Sequence, residues 1–235
     1  MLHAINTVLS GHGARPLASI GELFAGRSML LTYPELDIYS ERGPCDYYGI
    51  TDSSEGKAVP DWPAGTGPRL FAYLYSYFKG LDPLLAAIAA SGSPTLVFCR
   101  GIDSKLREKY DGGSIHFSAE AMSVSKLLPQ ANAVVCHGSH QMTAQALLAG
   151  KPVLLLPTQL EQFLIMRRLV RFGAGLGIAP EVPNADYASA LTALAENTEY
   201  ASKAREFAER YARHERGRAL ATMIARIEAA LQPSR

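Results

Sequence analysis

The chain has 235 residues, of which 48% are apolar and 19% charged, with a formal net charge of +1. That is ample for a packed core, and too close to neutral for the basic footprint of a nucleic-acid or anionic-membrane binder. Three scattered cysteines (Cys45, Cys99, Cys136) fit neither a disulfide framework nor a zinc site, no basic region followed by an apolar run opens the sequence, so no signal peptide is expected, and no apolar run approaches the ~20 residues that span a bilayer, so the chain reads as cytoplasmic with no transmembrane segment.

In chain order, Met29–Tyr33 predicts a strand, and Pro60–Pro68 is a Pro/Gly-rich linker. The segment before the linker is too small to bury a core of its own, and its strand is expected to expose apolar surface. From Arg69 the pattern alternates: strand Arg69–Leu74, helix Leu81–Ala90, strands Thr95–Cys99 and Ser114–Phe117, and a helical turn Ser123–Leu128. Strand Ala133–Cys136 follows, then helix Gln141–Ala149 ending at Gly150 with Pro152 beyond, an all-apolar strand Val153–Leu156, and helix Gln162–Phe172 before Gly173–Gly177. The tail from Ala185 to Leu231 carries helical periodicity at Ala204, Phe207, Ala208 and Tyr211, with Gly217 as an interruption. Strands alternating with helices at these lengths predict an α/β fold with a doubly wound parallel sheet.

The chemistry concentrates in residues 131–162. The turn His137-Gly138-Ser139-His140-Gln141 follows a strand and opens a helix, so backbone N–H groups and the positive end of the helix dipole converge on one spot suited to phosphate. Gly138 allows close backbone approach, and His137, Ser139 and Thr143 supply donors. An ordinary strand-to-helix turn with Ser139 as N-cap accounts for the same spacing. His137 and His140 lack a third ligand, so no metal is expected. One βα unit later, Glu161 and Gln162 offer an acceptor and a carboxamide suited to sugar hydroxyls, although Glu161 also suits the first turn of a helix. Gln145 lies one turn into the first helix. His3, His12 and His116 read as surface or packing residues, and His214 as part of a solvated charged face. A dehydrogenase reading fails because no Gly-x-Gly-x-x-Gly follows the first strand.

The spacing of these motifs resembles the donor-binding half of the two-domain (GT-B) glycosyltransferases, the family of the UDP-glycosyltransferases and the bacterial macrolide glycosyltransferases. The matching residues are His137-Gly138-Ser139, Thr143, Gln145-Ala146-Leu147, Gly150-Lys151-Pro152, Pro157-Thr-Gln-Leu-Glu161-Gln162 and Phe172-Gly-Ala-Gly175. Leu30–Leu36 and Tyr47–Gly49 are similar to the end of the family's N-terminal domain. The resemblance implies residues 1–58 as a remnant of that acceptor domain with its linker, residues 59–235 as the donor-binding domain, and a final helix crossing back over the N-terminal part. It implies a nucleoside diphosphate sugar, UDP- or dTDP-linked, as donor and no cofactor. His137, Gly138, Ser139, His140, Gln141 and Thr143 would hold the diphosphate with help from Ser76. Gln145 would face the ribose, the Met122 backbone the base, and Glu161 and Gln162 the sugar.

In the family the catalytic base lies early in the N-terminal domain, and no residue here is identified as that base. Ser139, Gln141, Met142 and Gln145 also stand where the family carries glycine, glycine, Ser/Thr and glutamate. Three readings therefore stand together: a glycosyltransferase or its donor-binding part, a truncated or degenerate non-catalytic binder, and one subunit of a split enzyme. A homodimer or an acceptor-domain partner goes with them.

Overall fold

The structure is a computed structural model that describes residues 1–23, 29–39, 45–51, 58–180, 182–212 and 216–231. Six parallel strands form one sheet in the order β3-β2-β1-β4-β5-β6. They are β1 (Leu70–Tyr75), β2 (Thr95–Arg100), β3 (Ile115–Phe117), β4 (Ala133–Cys136), β5 (Val153–Leu155) and β6 (Gly175–Gly177). This is the doubly wound α/β fold that the alternation predicts. The winding reverses between β1 and β4, and the crevice outside their carboxyl ends is where such sheets take ligands.

Alternation along each strand divides the core in two. Phe71, Leu96, Val134, Cys136, Val153 and Leu155 face one side, where they pack with α5 (His140–Leu148), α6 (Leu160–Phe172) and α8 (Thr198–Arg210). Leu70, Ala72, Leu74, Val97, Val135 and Leu154 face the other, under α2 (Leu81–Ser91) and α7 (Tyr187–Glu196). Local chemistry sets the helix ends. Gly92 and Gly173 close α2 and α6 in the left-handed conformation, while Asp186 and Asn197 cap α7 and α8 by accepting from the N–H groups of Ser189 and Glu199.

Several expectations change. Met29–Tyr33 is not a strand; it makes one bridge, Leu30 to Tyr47. Pro34 follows at once and starts a short 3₁₀ turn, and the Tyr33 ring turns inward to meet Phe207 and Tyr211 at centroid distances of 5.1 and 4.5 Å. Tyr33 and Leu36 are buried, so much of the apolar surface expected to be exposed is covered by the chain's own α6 and α8, leaving Leu31 outside. Glu35 accepts from Arg210 and from the Tyr211 hydroxyl, and Arg168 donates to the carbonyls of Pro34 and Glu35. Helix α9 (Arg216–Leu231) includes Gly217, which therefore does not interrupt it; so near a helix start, N–H groups lack partners anyway and glycine costs little. Arg226 of α9 donates to Asp46 and Tyr48, so the last helix does lie against the N-terminal segment. Helix α3 (Ser104–Tyr110), capped by Asp103, and edge strand β6 lie where no element is expected; α1 (Leu2–Gly11) and the short α4 (Val124–Leu127) complete the set. The reading of His214 falls outside the described residues. Among the described residues no helix is long and apolar enough to cross a membrane.

Candidate functional site

At the carboxyl edge, β4 runs into the turn and α5 starts at His140, with Ser139 at the N-cap. The Ser139 side chain makes no capping bond, and its hydroxyl stands at the helix mouth beside the first N–H groups of α5. Gly138 has φ +88°, and a Cβ there would come within 3.2 Å of the Gln162 carbonyl. Glycine is what lets the turn press against α6.

The structure gathers four predicted residues around one cavity of about 230 Å³: Ser139, Gln141, Gln145 and Met122, with the rings of Tyr73 and Tyr75 and the side chain of Met142 as the other wall. Gln145 and Met122 are buried. The Gln141 carboxamide donates to the Thr51 carbonyl at 3.1 Å, which ties the turn to the N-terminal segment. The two tyrosines are absent from the predicted set. Phe71, Tyr73 and Tyr75 alternate along β1, and that period of two is the signal that would have put three aromatic rings on one face beside the turn.

His137 is buried at 2% exposure, and both ring nitrogens have partners in the chain. Nδ1–H donates to the Leu156 carbonyl at 2.7 Å and Nε2 accepts from the Tyr75 N–H at 3.0 Å, which fixes one neutral tautomer. The ring stacks on Tyr75 (5.3 Å) and meets the edge of Phe78 (5.2 Å). It thus joins the ends of β1, β4 and β5 across the point where the winding reverses. Thr143 is buried as well, its hydroxyl donating to the Ser139 carbonyl at 2.9 Å.

The remaining residues line other surfaces, except Gln162, whose backbone packs against Gly138 of the turn. Ser76 is exposed, and its Oγ lies against Gly101 beyond β2. Gln162 is buried, its Oε1 accepting from the Thr158 N–H and hydroxyl at 2.8 and 3.0 Å. Glu161 and His140 line a second cavity of about 210 Å³ under the N-terminal segment. A larger cavity of about 560 Å³, walled by Tyr77, Phe78, Lys79, Pro157, Thr158 and Tyr187, holds none of the predicted residues. Volume and chemistry disagree here. The turn stands at the switch point of the sheet and is the candidate site. Among the described residues no group of three or more His, Cys, Asp or Glu stands close enough to hold a metal ion.

Burial lowers the pKa of both His137 and His140 from the ordinary 6.5; the Leu156 carbonyl opposes it for the first, Glu161 and Asp37 for the second. The unfolded chain therefore takes up these protons first as pH falls. The stability tied to the neutral rings is complete above about pH 7 and is lost as pH drops below 6.5 toward the folded-state values. Thermal melts across this range are expected to show a plateau above neutrality and a falling melting temperature below it, with a shallower fall in His137→Asn.

Residues 116–225 match the family described as "Erythromycin biosynthesis protein CIII-like, C-terminal domain". A PGL/p-HBAD biosynthesis glycosyltransferase of Mycobacterium tuberculosis is 38% identical over 79 residues, which is 33% of this chain and 18% of that protein. Among solved structures, the calicheamicin glycosyltransferase CalG4 superimposes with a TM-score of 0.73 at 17% identity, covering 98% of this chain and 61% of that one. The spinosyn rhamnosyltransferase SpnG complexed with thymidine diphosphate gives 0.63 at 21%, covering 87% and 56%. The chain thus spans little more than half of these structures, and the likeness to them shows the fold alone, a Rossmann-like α/β half of the GT-B type.

Proposed function

We propose that this site, in a chain whose residues 116–225 match the erythromycin biosynthesis protein CIII-like C-terminal domain, binds a nucleoside diphosphate sugar and delivers the sugar to an acceptor hydroxyl. The observation that carries this reading is the cavity at the mouth of α5, where Ser139, Gln141 and Gln145 meet Tyr73, Tyr75 and Met122. A base can lie against the Met122 and tyrosine side, a ribose can meet the Gln145 carboxamide, and a diphosphate can lie at the N-terminal mouth of α5. The amides and the dipole supply the electrostatic stabilisation that a departing diphosphate needs, without a metal. That the solved relatives include one complexed with thymidine diphosphate supports a dTDP-linked donor. In this reading residues 59–235 form the donor domain, and residues 1–58 serve the acceptor side.

Thermal melts with dTDP, UDP and dTDP-glucose test it. At a hundred times Kd a ligand adds about 2.7 kcal/mol, worth roughly 5–10 °C in a chain of this size. We expect protection of that order from dTDP-glucose and its near-complete loss in Gln145→Leu. No protection by any of the three at millimolar concentration sinks the reading. One observation favours a second reading, donor binding without transfer: both nitrogens of His137 are committed to the chain's own backbone, so that ring brings no free donor to the diphosphate.

A further inference from the structure

The cavity of about 560 Å³ has the size of sites that enclose a small organic ligand, and none of the residues assigned to the nucleotide lines it. The rings of Tyr77, Phe78 and Tyr187 wall it, with Ile178 and Val182 from the loop after β6. Tyr77 stacks one face on Tyr75 at 5.2 Å and 14°, and at 64% exposure its other face is open. That pair of rings divides the two cavities, because Tyr75 lines the nucleotide one.

The polar groups gather at one corner. Tyr187 is buried at 8% exposure, yet its hydroxyl has no hydrogen-bond partner among the described residues, where a buried tyrosine ordinarily finds one. The hydroxyl sits against Gly80, the N-cap of α2, where a Cβ would overlap it. Burial raises the Tyr187 pKa, so at neutral pH the hydroxyl keeps its proton and remains a donor. Lys79, next in the chain, also lines the cavity; it is exposed and has no ion pair among the described residues. Asp82, the acid in the first turn of α2, is engaged elsewhere: its carboxylate accepts from Lys109 and Tyr110 of α3 at 2.7 and 2.5 Å. The Thr158 hydroxyl is already given to Gln162. The corner therefore combines an ammonium, an unused hydroxyl donor and the positive end of α2, and the remaining walls are aromatic and aliphatic.

We propose that this cavity is a second ligand site, separate from the nucleotide site, and that it takes a flat aromatic carboxylate. The ring lies among Tyr77, Phe78 and Tyr187, and the carboxylate meets Lys79 and the Tyr187 hydroxyl at the mouth of α2. One ammonium balances one negative charge, which suits a carboxylate better than a phosphate dianion, and the hydroxyl supplies a charge-assisted hydrogen bond. Edge-to-face contact of Phe78 with Tyr187, at 6.4 Å and 80°, sets the two rings as floor and side of a slot for a planar group. The site stands whether or not the nucleotide reading does.

Calorimetric titration without nucleotide tests it, using 2-naphthoate, its uncharged amide 2-naphthamide, and octanoate as an acid without a ring. We expect 2-naphthoate to bind about tenfold or more tighter than either of the others. Lys79→Met and Tyr187→Phe should each weaken 2-naphthoate about tenfold, and Lys79→Met should leave the amide unchanged. Melting temperatures near wild type report that both variants fold, since one change is on an exposed chain and the other keeps its packed ring. Saturating dTDP-glucose should not displace 2-naphthoate. No binding of 2-naphthoate at millimolar concentration overturns the proposal, as do equal affinities for acid and amide, or an unchanged affinity in either variant. Octanoate binding as tightly as 2-naphthoate overturns the aromatic class. Displacement by dTDP-glucose assigns the ligand to the nucleotide cavity and removes the second site, while the nucleotide reading stands.

Discussion

His137→Ala is expected to lower the melting temperature by roughly 6–20 °C. The substitution leaves the Leu156 carbonyl and the Tyr75 N–H without their partners in a buried place. Each such orphan costs about 1–3 kcal/mol, and removing a ring packed on Tyr75 and Phe78 adds a cavity term, for a total of roughly 3–5 kcal/mol. At about 2–4 °C per kcal/mol for a chain of this length, that is a shift easily read by calorimetry. Two further variants divide the cost. His137→Asn keeps a donor in reach of Leu156 and loses only the acceptor for Tyr75, so it should fall between wild type and alanine. His137→Phe keeps the ring area and orphans both backbone groups. If His137→Phe melts with wild type, the hydrogen bonds across the sheet contribute nothing and the role given to His137 is wrong.

This side chain also shows how sequence and structure divide the work. Spacing alone places His137 at the end of a strand and Gly138 in the turn, because hydrophobic runs and glycine report local geometry. It does not say where the imidazole points. That depends on β1 and β5 arriving on either side, from residues about 60 positions upstream and 20 downstream, a tertiary fact with no local signature. The same holds for Gln141, which donates to Thr51, and His140, which meets Thr32. Both partners belong to a segment whose strand prediction at Met29–Tyr33 fails.

That failure has its own cause. Met29–Tyr33 has the composition of a strand, yet a strand needs a neighbour along its length, and Pro34 stops it after a single bridge. The aromatic ring that composition assigns to a pleat instead fills a gap beside Phe207 and Tyr211 on α8. Elements with strong apolar runs, such as β4 and β5, are buried on both faces by helices, so local pattern and tertiary environment agree there. The edge strand β6 carries only Leu176 between two glycines, too little apolar signal to announce a strand.

Those two glycines make the last expected result a contrast between neighbours. A Cβ at Gly175 would sit 2.0 Å from the Val153 carbonyl oxygen and 2.9 Å from its backbone nitrogen, at φ +155°. Backbone cannot move aside without breaking the pairing of β6 with β5, in which Gly175 stands opposite Val153. Gly175→Ala is therefore expected to cost about 3 kcal/mol or more, through strain and lost ladder hydrogen bonds, and to loosen the loop that follows Gly177. At Gly177 the nearest atoms are Cγ and Sδ of Met166, at 2.2 and 2.3 Å, with the Leu155 carbonyl at 3.4 Å. Methionine is flexible enough to swing away, so Gly177→Ala should cost about 1 kcal/mol. Parallel urea titrations of the two variants decide it. Equal midpoints show that the approach of β6 to β5 yields more easily than a close-packed parallel edge allows.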